Sequence, residues 1–240
     1  MAKILVFDIW GSYGHYKKIY ATTSALTYPI PFKTAIYGFV GAVIGLDKYE
    51  NAYLNDFQSG SCKIGIQLQH EPTTQRIHTN FSPEPGPIRS NRKPTLLELL
   101  RNPKYRIFFT HENDEVYQKL KMHLDTHTSI YTPCMGLANM LANFEYIGEF
   151  GCKKEGKNEY FLNGVIPQSN IIELNPLISR ESNNEIVQVG MYALEMDTER
   201  NVTKRDSVLF DRKNTPIRAT VNEATHLENY IEPDFYTLLF

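Results

Sequence analysis

The sequence has little cysteine and no long apolar run, and two of the commonest nucleotide signatures are missing from it. Its 240 residues hold three cysteines, Cys62, Cys134 and Cys152, far apart and with no C-x-x-C pair. An odd, scattered set argues against a disulfide framework and a cysteine zinc site, and fits a reducing, cytoplasmic setting. No uninterrupted apolar stretch reaches the roughly 18–20 residues that crossing a bilayer needs, so no membrane role is expected. The opening Ala2-Lys3-Ile4-Leu5-Val6-Phe7-Asp8 meets an acid at once and lacks a small-residue cleavage site, so it reads as a first strand rather than a signal peptide. Neither G-x-x-x-x-G-K-[ST] nor G-x-G-x-x-G occurs, which removes the usual phosphate cradles, and G-x-S-x-G is missing too.

Net charge is also small, at −2, yet it is unevenly spread. Residues 9–46 carry Lys17, Lys18 and Lys33 with no aspartate or glutamate. Residues 72–106 carry Arg76, Arg89, Arg92, Lys93, Arg101, Lys104 and Arg106 against Glu84 and Glu98. The rest of the chain is therefore strongly acidic, and the asymmetry points to an anionic partner for one part of the molecule.

Periodicity predicts an α+β chain. Lys3–Ile9 reads as a buried strand, and residues 10–32 as a loop with glycines early and prolines late. Lys33–Leu46 reads as a helix, with Ile36, Phe39, Val40, Val43 and Ile44 on one apolar face. Thr34, Gly38, Gly41 and Gly45 form a small-residue stripe that predicts a close neighbour, because an interior glycine costs about 1 kcal/mol. Residues 62–70 alternate like a half-buried strand, and the proline-rich stretch 71–104 reads as a protruding arm with a short helix over Thr95–Arg101. Tyr105–Thr110 predicts a strand, Asn113 a helix cap, and Phe144–Phe150 a further strand. This β-α-β-(arm)-β-α-β order is that of a ferredoxin-like or RRM-like domain over residues 1–150. A small β-rich domain is expected over 151–240, from strands at 185–196 and 202–212 joined by a polar turn.

Few constellations carry chemistry. His123 and His127 have a helical i, i+4 spacing but no evident third ligand, so no metal or other cofactor is expected. Cys134, in Thr132-Pro133-Cys134-Met135-Gly136, reads as part of a tight turn. His15, Lys17, Lys33, Tyr37 and His78 offer the base, acid and cation of a metal-independent ribonuclease, so composition leaves that reading open. A plain RNA site explains more of the pattern. Trp10, Tyr13, His15, Tyr16 and Tyr20 alternate with Lys17 and Lys18, giving rings for unpaired bases and cations for phosphates. The start of the following helix, with Lys33 and Thr34 at its mouth, can aim N–H groups at a phosphate. Arg76, His78, Arg89, Arg92 and Lys93 on the arm can grip the strand from the other side.

Taken in order, these segments resemble a known family. They are Phe7-Asp8-Ile9-Trp10-Gly11, Gly14-His15-Tyr16-Lys17-Lys18, Thr27-Tyr28-Pro29-Ile30-Pro31, Thr34–Ala42, Asn102–Ile107, Tyr131–Leu137 and Ala142–Gly148. The chain is similar to the RAMP-type CRISPR subunit of type I Cascade that caps the 5′ handle of the guide crRNA, with the type I-B branch nearest. The resemblance implies a non-catalytic role in antiviral CRISPR interference, and an arm that acts as a thumb. It implies contacts with the backbone RAMP subunit and the large subunit, and only indirect contact with target DNA. It also implies that the loop after the first strand, the first helix and the thumb hold the RNA. Here those regions contain His15, Tyr16, Lys17, Lys18, Lys33, Thr34, Tyr37, Gly38, Arg76, His78, Arg89, Arg92 and Lys93. Type I-C relatives cleave precursor RNA with a tyrosine just before the first helix and a lysine–histidine pair. Lys33 stands at the matching position and no Lys-His dipeptide occurs, so the resemblance implies loss of cleavage. An interaction scaffold without RNA remains the third reading.

Overall fold

The computed structural model describes residues 2–20, 24–58, 60–81, 93–175 and 184–240. Its elements in chain order are β1 (Ala2–Trp10), β2 (Tyr13–Gly14), α1 (Lys33–Ile44), a 3-10 stretch (Tyr49–Phe57), β3 (Cys62–Leu68), β4 (Thr73–Phe81), β5 (Lys93–Arg101) and β6 (Lys104–His111). They continue with α2 (Asp114–Asp125), β7 (Asn143–Glu155), β8 (Asn158–Asn163), β9 (Ile166–Pro167), β10 (Ile171–Leu174), β11 (Ile186–Met196) and β12 (Val202–Asp211). The last are β13 (Ile217–Val221), β14 (Ala224–Glu228) and β15 (Tyr236–Thr237). The fold is α+β and mostly strand. No helix among the described residues is long and apolar enough to cross a membrane.

Everything is built around β1, whose apolar run lets it be buried on both faces. It pairs antiparallel with β6 on one side and β7 on the other. Leu5, Phe7 and Ile9 face the two helices, with Phe7 stacked on Phe39 of α1. Ile4 and Val6 point the other way, under Leu227, Tyr230 and Phe235. Asp8 shares that second face and is fully buried, so its charge must be matched. Arg106 on β6 donates to both carboxylate oxygens at 2.7 and 3.0 Å, and Lys104 stands 3.4 Å away.

Among the described residues nine strands form one sheet, in the order β10-β13-β8-β15-β14-β7-β1-β6-β3. The sheet curls until its C-terminal half meets its other edge. Val165 N–H donates to the Ile66 carbonyl at 2.7 Å, and Ile64 and Phe240 exchange backbone bonds of 3.1 and 3.2 Å. β3 is consequently buried on both faces, Gln67 included, where alternation predicts one wet face. The C-terminal segment supplies the missing cover. Residue 150, the expected domain boundary, lies inside β7, which pairs with β1 before it and β14 after it.

The arm is a hairpin of β4 and β5, in register from Thr73↔Arg101 to Phe81↔Lys93. The helix expected over Thr95–Arg101 is therefore a strand. Its leucines favour a helix in isolation, but two partners override them: β4 on one edge and β2 on the other, through Tyr13↔Arg101 and Gly14↔Leu100. Asn113 does cap α2, its side chain accepting from Glu115 N–H at 2.9 Å.

Three of the four small residues of α1 have different surroundings. Gly45 ends the helix at φ 74° with Ile130 packed against it, and Gly41 meets Tyr53 at ordinary contact distance. Gly38 is exposed, and a Cβ there would touch nothing within 4 Å. Gly38→Ala is expected to stabilise the isolated protein by about 0.5–1 kcal/mol, since alanine loses less chain entropy in a helix. Urea unfolding checks this; a destabilised variant would contradict the open site.

Candidate nucleic-acid interface

The loop after β1 is held as firmly as an element of secondary structure. His15 N–H donates to Met135 O at 2.9 Å, and Gly136, at φ 96°, passes directly beneath the His15 carbonyl, where a Cβ would overlap it. The segments 16–18 and 26–28 then pair with each other. Tyr16 N–H donates to Thr27 Oγ1 at 2.9 Å, Tyr28 N–H to Tyr16 O at 2.7 Å and Lys18 N–H to Leu26 O at 2.8 Å. The returning limb docks onto β5, with Ala25 N–H donating to Leu96 O and Glu98 N–H to Ala25 O.

Glu98 closes this arrangement. The residue is only 8% exposed, and its carboxylate accepts from Thr27 N–H at 3.3 Å and from Arg76 Nε at 3.2 Å. Its backbone carbonyl lies 2.8 Å from His15 Nδ1, which must carry the proton because a carbonyl only accepts. Burial lowers the His15 pKa, the Glu98 carbonyl and carboxylate opposing and the Lys17 charge reinforcing it. His15 is thus a neutral clamp inside the loop.

The exposed face of this unit is cationic. Lys17 projects outward, and the Lys18 ammonium stands 5.7 Å above the ring of the buried Tyr28. Arg76 and His78 are both exposed and share one face of β4. A cleft of about 230 Å³ runs between Lys18, Thr27, Thr74 and Glu98 on one side and Val187, Phe210 and Arg212 on the other. Arg212 and Arg205, both from the C-terminal third, were not among the residues that sequence reasoning singles out, nor was Glu98. Arg212 is paired to Glu71 at 2.8 Å, and Arg205 donates to Met191 O at 3.2 Å, close enough to Tyr28 to counter the rise of its pKa that burial drives. Nothing in the local sequence marks them, because the β11–β12 hairpin is brought there by long-range packing.

The other residues singled out from sequence lie elsewhere. Tyr16 is buried against Tyr105 and Met135. Trp10 sits on the opposite face of β1, beneath the Lys104 ammonium at 5.4 Å. Lys33, Thr34 and Tyr37 are buried where β11 packs over the start of α1: Tyr192 OH donates to Pro31 O at 2.6 Å, and Tyr37 OH approaches Leu194 O at 3.5 Å. Gly38 is exposed one turn further on. Lys93 begins β5, while Arg89 and Arg92 lie outside the described residues. His123 bonds Thr128 Oγ1 at 2.9 Å and His127 packs on Phe144, so the two rings serve separate contacts. Burial raises the Cys134 thiol pKa, and the Gly136 N–H opposes it.

Lys33 differs from the other buried charges. Among the described residues it makes no hydrogen bond or ion pair, and burial pushes its pKa down. The unfolded chain binds the proton more tightly than the folded one, so stability rises with pH between the lowered value and the ordinary lysine value. Lys33→Met is therefore expected to lose that alkaline rise relative to wild type. Urea titrations at pH 7 and pH 10 measure it, and a variant that keeps the rise would contradict the burial argument.

The family model described as CRISPR-associated protein (Cas_Cas5) matches residues 4–161. A search among curated proteins found no match. Among solved structures, a CRISPR protein from Archaeoglobus fulgidus overlaps with a TM-score of 0.57 at 13% identity, over 98% of each chain, which is a likeness of fold. A chain of a CRISPR RNA-guided surveillance complex gives 0.46 at 10% identity, covering 89% of this chain and 91% of its own. A chain of the type III-B Cmr-beta complex bound to cognate target RNA and AMPPnP gives 0.47 at 12%, covering 90% and 86%. Those two overlaps are too loose to carry weight. The family match spans well over half of the chain, from β1 into β8, and the chain belongs to the CRISPR-associated Cas_Cas5 family.

Proposed function

We propose that the protein is a non-catalytic subunit of a Cascade-type complex, of the type I-B branch, that binds guide crRNA and caps its 5′ handle. The observation that carries this reading is the fixed loop docked on the hairpin, with Lys17 and Lys18 on the loop, Arg76 and His78 exposed on β4, and a cleft lined by Lys18, Thr74 and Arg212. Cations on that face can take successive phosphates, and exposed Tyr20 beside it offers a ring for an unpaired base. A fixed loop and hairpin can stop a guide strand in one register without any chemistry, since base pairing reads the target.

Within the sheet, the order β7-β1-β6-β3 with α1 and α2 on one face supports a ferredoxin-like core, from which the β4–β5 hairpin protrudes as the thumb. RRM-type domains stack bases on the sheet face opposite the helices. Here Leu227, Tyr230 and Phe235 cover that face, which supports a reading in which the loop and thumb hold the RNA. Contacts with a backbone RAMP subunit and a large subunit, indirect contact with target DNA, and a cytoplasmic setting belong to the same reading.

Burial also favours binding over cleavage. The His15 ring is clamped by Glu98 and 4% exposed, and burial holds the Tyr37 phenol well above its ordinary pKa. Neither is presented to a scissile phosphate as a general base or acid must be.

The test is fluorescence anisotropy with handle-bearing crRNA over a salt series. Neutralising Lys17, Lys18 and Arg76 together is expected to weaken binding and to reduce the log–log salt slope by about 2, at roughly 0.7 per lost phosphate contact. An unchanged affinity and slope would favour a scaffold without RNA. Repeat RNA incubated with the protein in the absence of metal is expected to stay intact; site-specific cutting lost in His15→Ala or Lys33→Ala would establish a ribonuclease instead.

A further inference from the structure

The β11–β12 hairpin does not pair evenly. Val189 stands opposite Val208 and Tyr192 opposite Asp206, so Gly190 and Met191 share the single place opposite Ser207, which makes a β-bulge. The left-handed residue of this bulge is Met191, at φ 58°, although a glycine stands next to it. A side chain in that region of backbone costs stability that glycine would not. Packing does little to offset the cost, because Met191 is 50% exposed. A strained residue whose side chain reaches solvent is a reason to look for a role outside the fold.

The surroundings of the bulge decide the chemistry. The Gly190 carbonyl accepts from the Tyr28 hydroxyl at 3.0 Å, and the Met191 carbonyl accepts from the Arg205 guanidinium at 3.2 Å. The first bond ties the bulge to the loop after β1. On the loop side, the Tyr20 ring stands edge-on to Tyr28, 6.3 Å between centroids, and is 61% exposed. The Lys18 ammonium lies over the same Tyr28 ring. Buried Tyr28 is thus the post around which two cations, a free aromatic ring and a thioether are set out. Among the described residues no carboxylate pairs with Lys18 or Arg205, whereas Lys204 and Arg212, either side of Arg205 in sequence, are paired with Glu195 and Glu71. Cations free of acids suit a phosphate. An exposed ring and a polarizable thioether suit the face of a base, whatever its identity, since every base has a π-face.

We propose that the Gly190–Met191 bulge is a nucleotide subsite for the bound RNA. The base of one unpaired nucleotide lies against Tyr20 and the Met191 thioether, and its phosphate is held by Lys18 and by the Arg205 N–H groups that the Met191 carbonyl leaves free. The proposal rests on the RNA-binding reading and extends it from the loop and hairpin onto the C-terminal third. It makes Met191 and Arg205 binding residues, and it gives the strained backbone a use.

The experiment uses the full chain and handle-bearing crRNA, reading affinity by fluorescence anisotropy and the stability of each variant by urea unfolding. Met191→Gly is expected to unfold at an equal or higher urea concentration than wild type, because glycine removes the strain. It is nonetheless expected to bind the RNA about threefold more weakly, the size of a lost sulfur–ring contact. A residue that served the fold alone would not give that pair of results. Tyr20→Ala is expected to weaken binding about tenfold. Combined with Met191→Gly it is expected to cost less than the two losses multiplied, since both side chains touch one base. Arg205→Ala is expected to lower the log–log salt slope by roughly 0.7, and Arg205→Lys to restore it. If Met191→Gly and Arg205→Ala bind like wild type while neutralising Lys17, Lys18 and Arg76 still weakens binding, the subsite is overturned and the RNA reading stands. A Met191→Gly protein less stable than wild type makes the residue structural and overturns the subsite as well. A wild-type protein that binds no RNA overturns both.

Discussion

The contact on which the interface depends is the set of bonds around Glu98. One partly helix-like run, Leu96-Leu97-Glu98-Leu99-Leu100, is held as a strand. From it a single residue reaches the loop twice through its side chain and carbonyl, and again through its N–H. The same carboxylate fixes Arg76 on the neighbouring strand. A carboxylate this buried would be costly alone, and its value lies in satisfying groups that otherwise have no partner. It joins two stretches of chain more than sixty residues apart into one rigid surface, and places Lys17, Lys18 and Arg76 on the outside of it. Local anchoring of this sort is how a loop acquires the precision that binding requires.

Curling of the sheet sets the other boundary. Because the C-terminal segment returns to β3 and covers the face of β1 opposite the helices, the broad sheet surface is spent on packing. The return also lays β11 across α1, burying Lys33, Thr34 and Tyr37, and brings Arg205 and Arg212 alongside the loop. The N-terminal two-thirds supply the cationic loop and hairpin, and the C-terminal third decides which of their residues remain accessible.

Much of this was legible without coordinates. The apolar runs of β1, β6 and α2 and the cap at Asn113 state their structure locally, so they fall where periodicity puts them. Composition reads Lys17, Arg76 and His78 as surface residues, and the structure leaves all three exposed. Other features are properties of distant partners. Gln67 looks like a solvated residue until the C-terminal segment covers β3, and Lys33 looks like a helix-mouth cation until β11 covers it. Glu98 was most easily misread: within a basic arm it counts as a stray acid, and only the docked loop shows that its charge is used. Arg205 and Arg212 carry no local signal at all.

Hydrogen exchange in Glu98→Ala, with and without handle-bearing crRNA, tests the central claim most directly. The amides of Tyr16, Lys18 and Ala25 are bonded within the loop or to β5, whereas those of β1 lie in the sheet core. Removing the carboxylate is expected to speed exchange of the three loop amides by roughly tenfold or more, with β1 unchanged, as local opening near 1–3 kcal/mol would do. RNA is expected to slow the same amides in the wild-type protein. Loop amides that exchange alike in both proteins and ignore RNA would contradict the account.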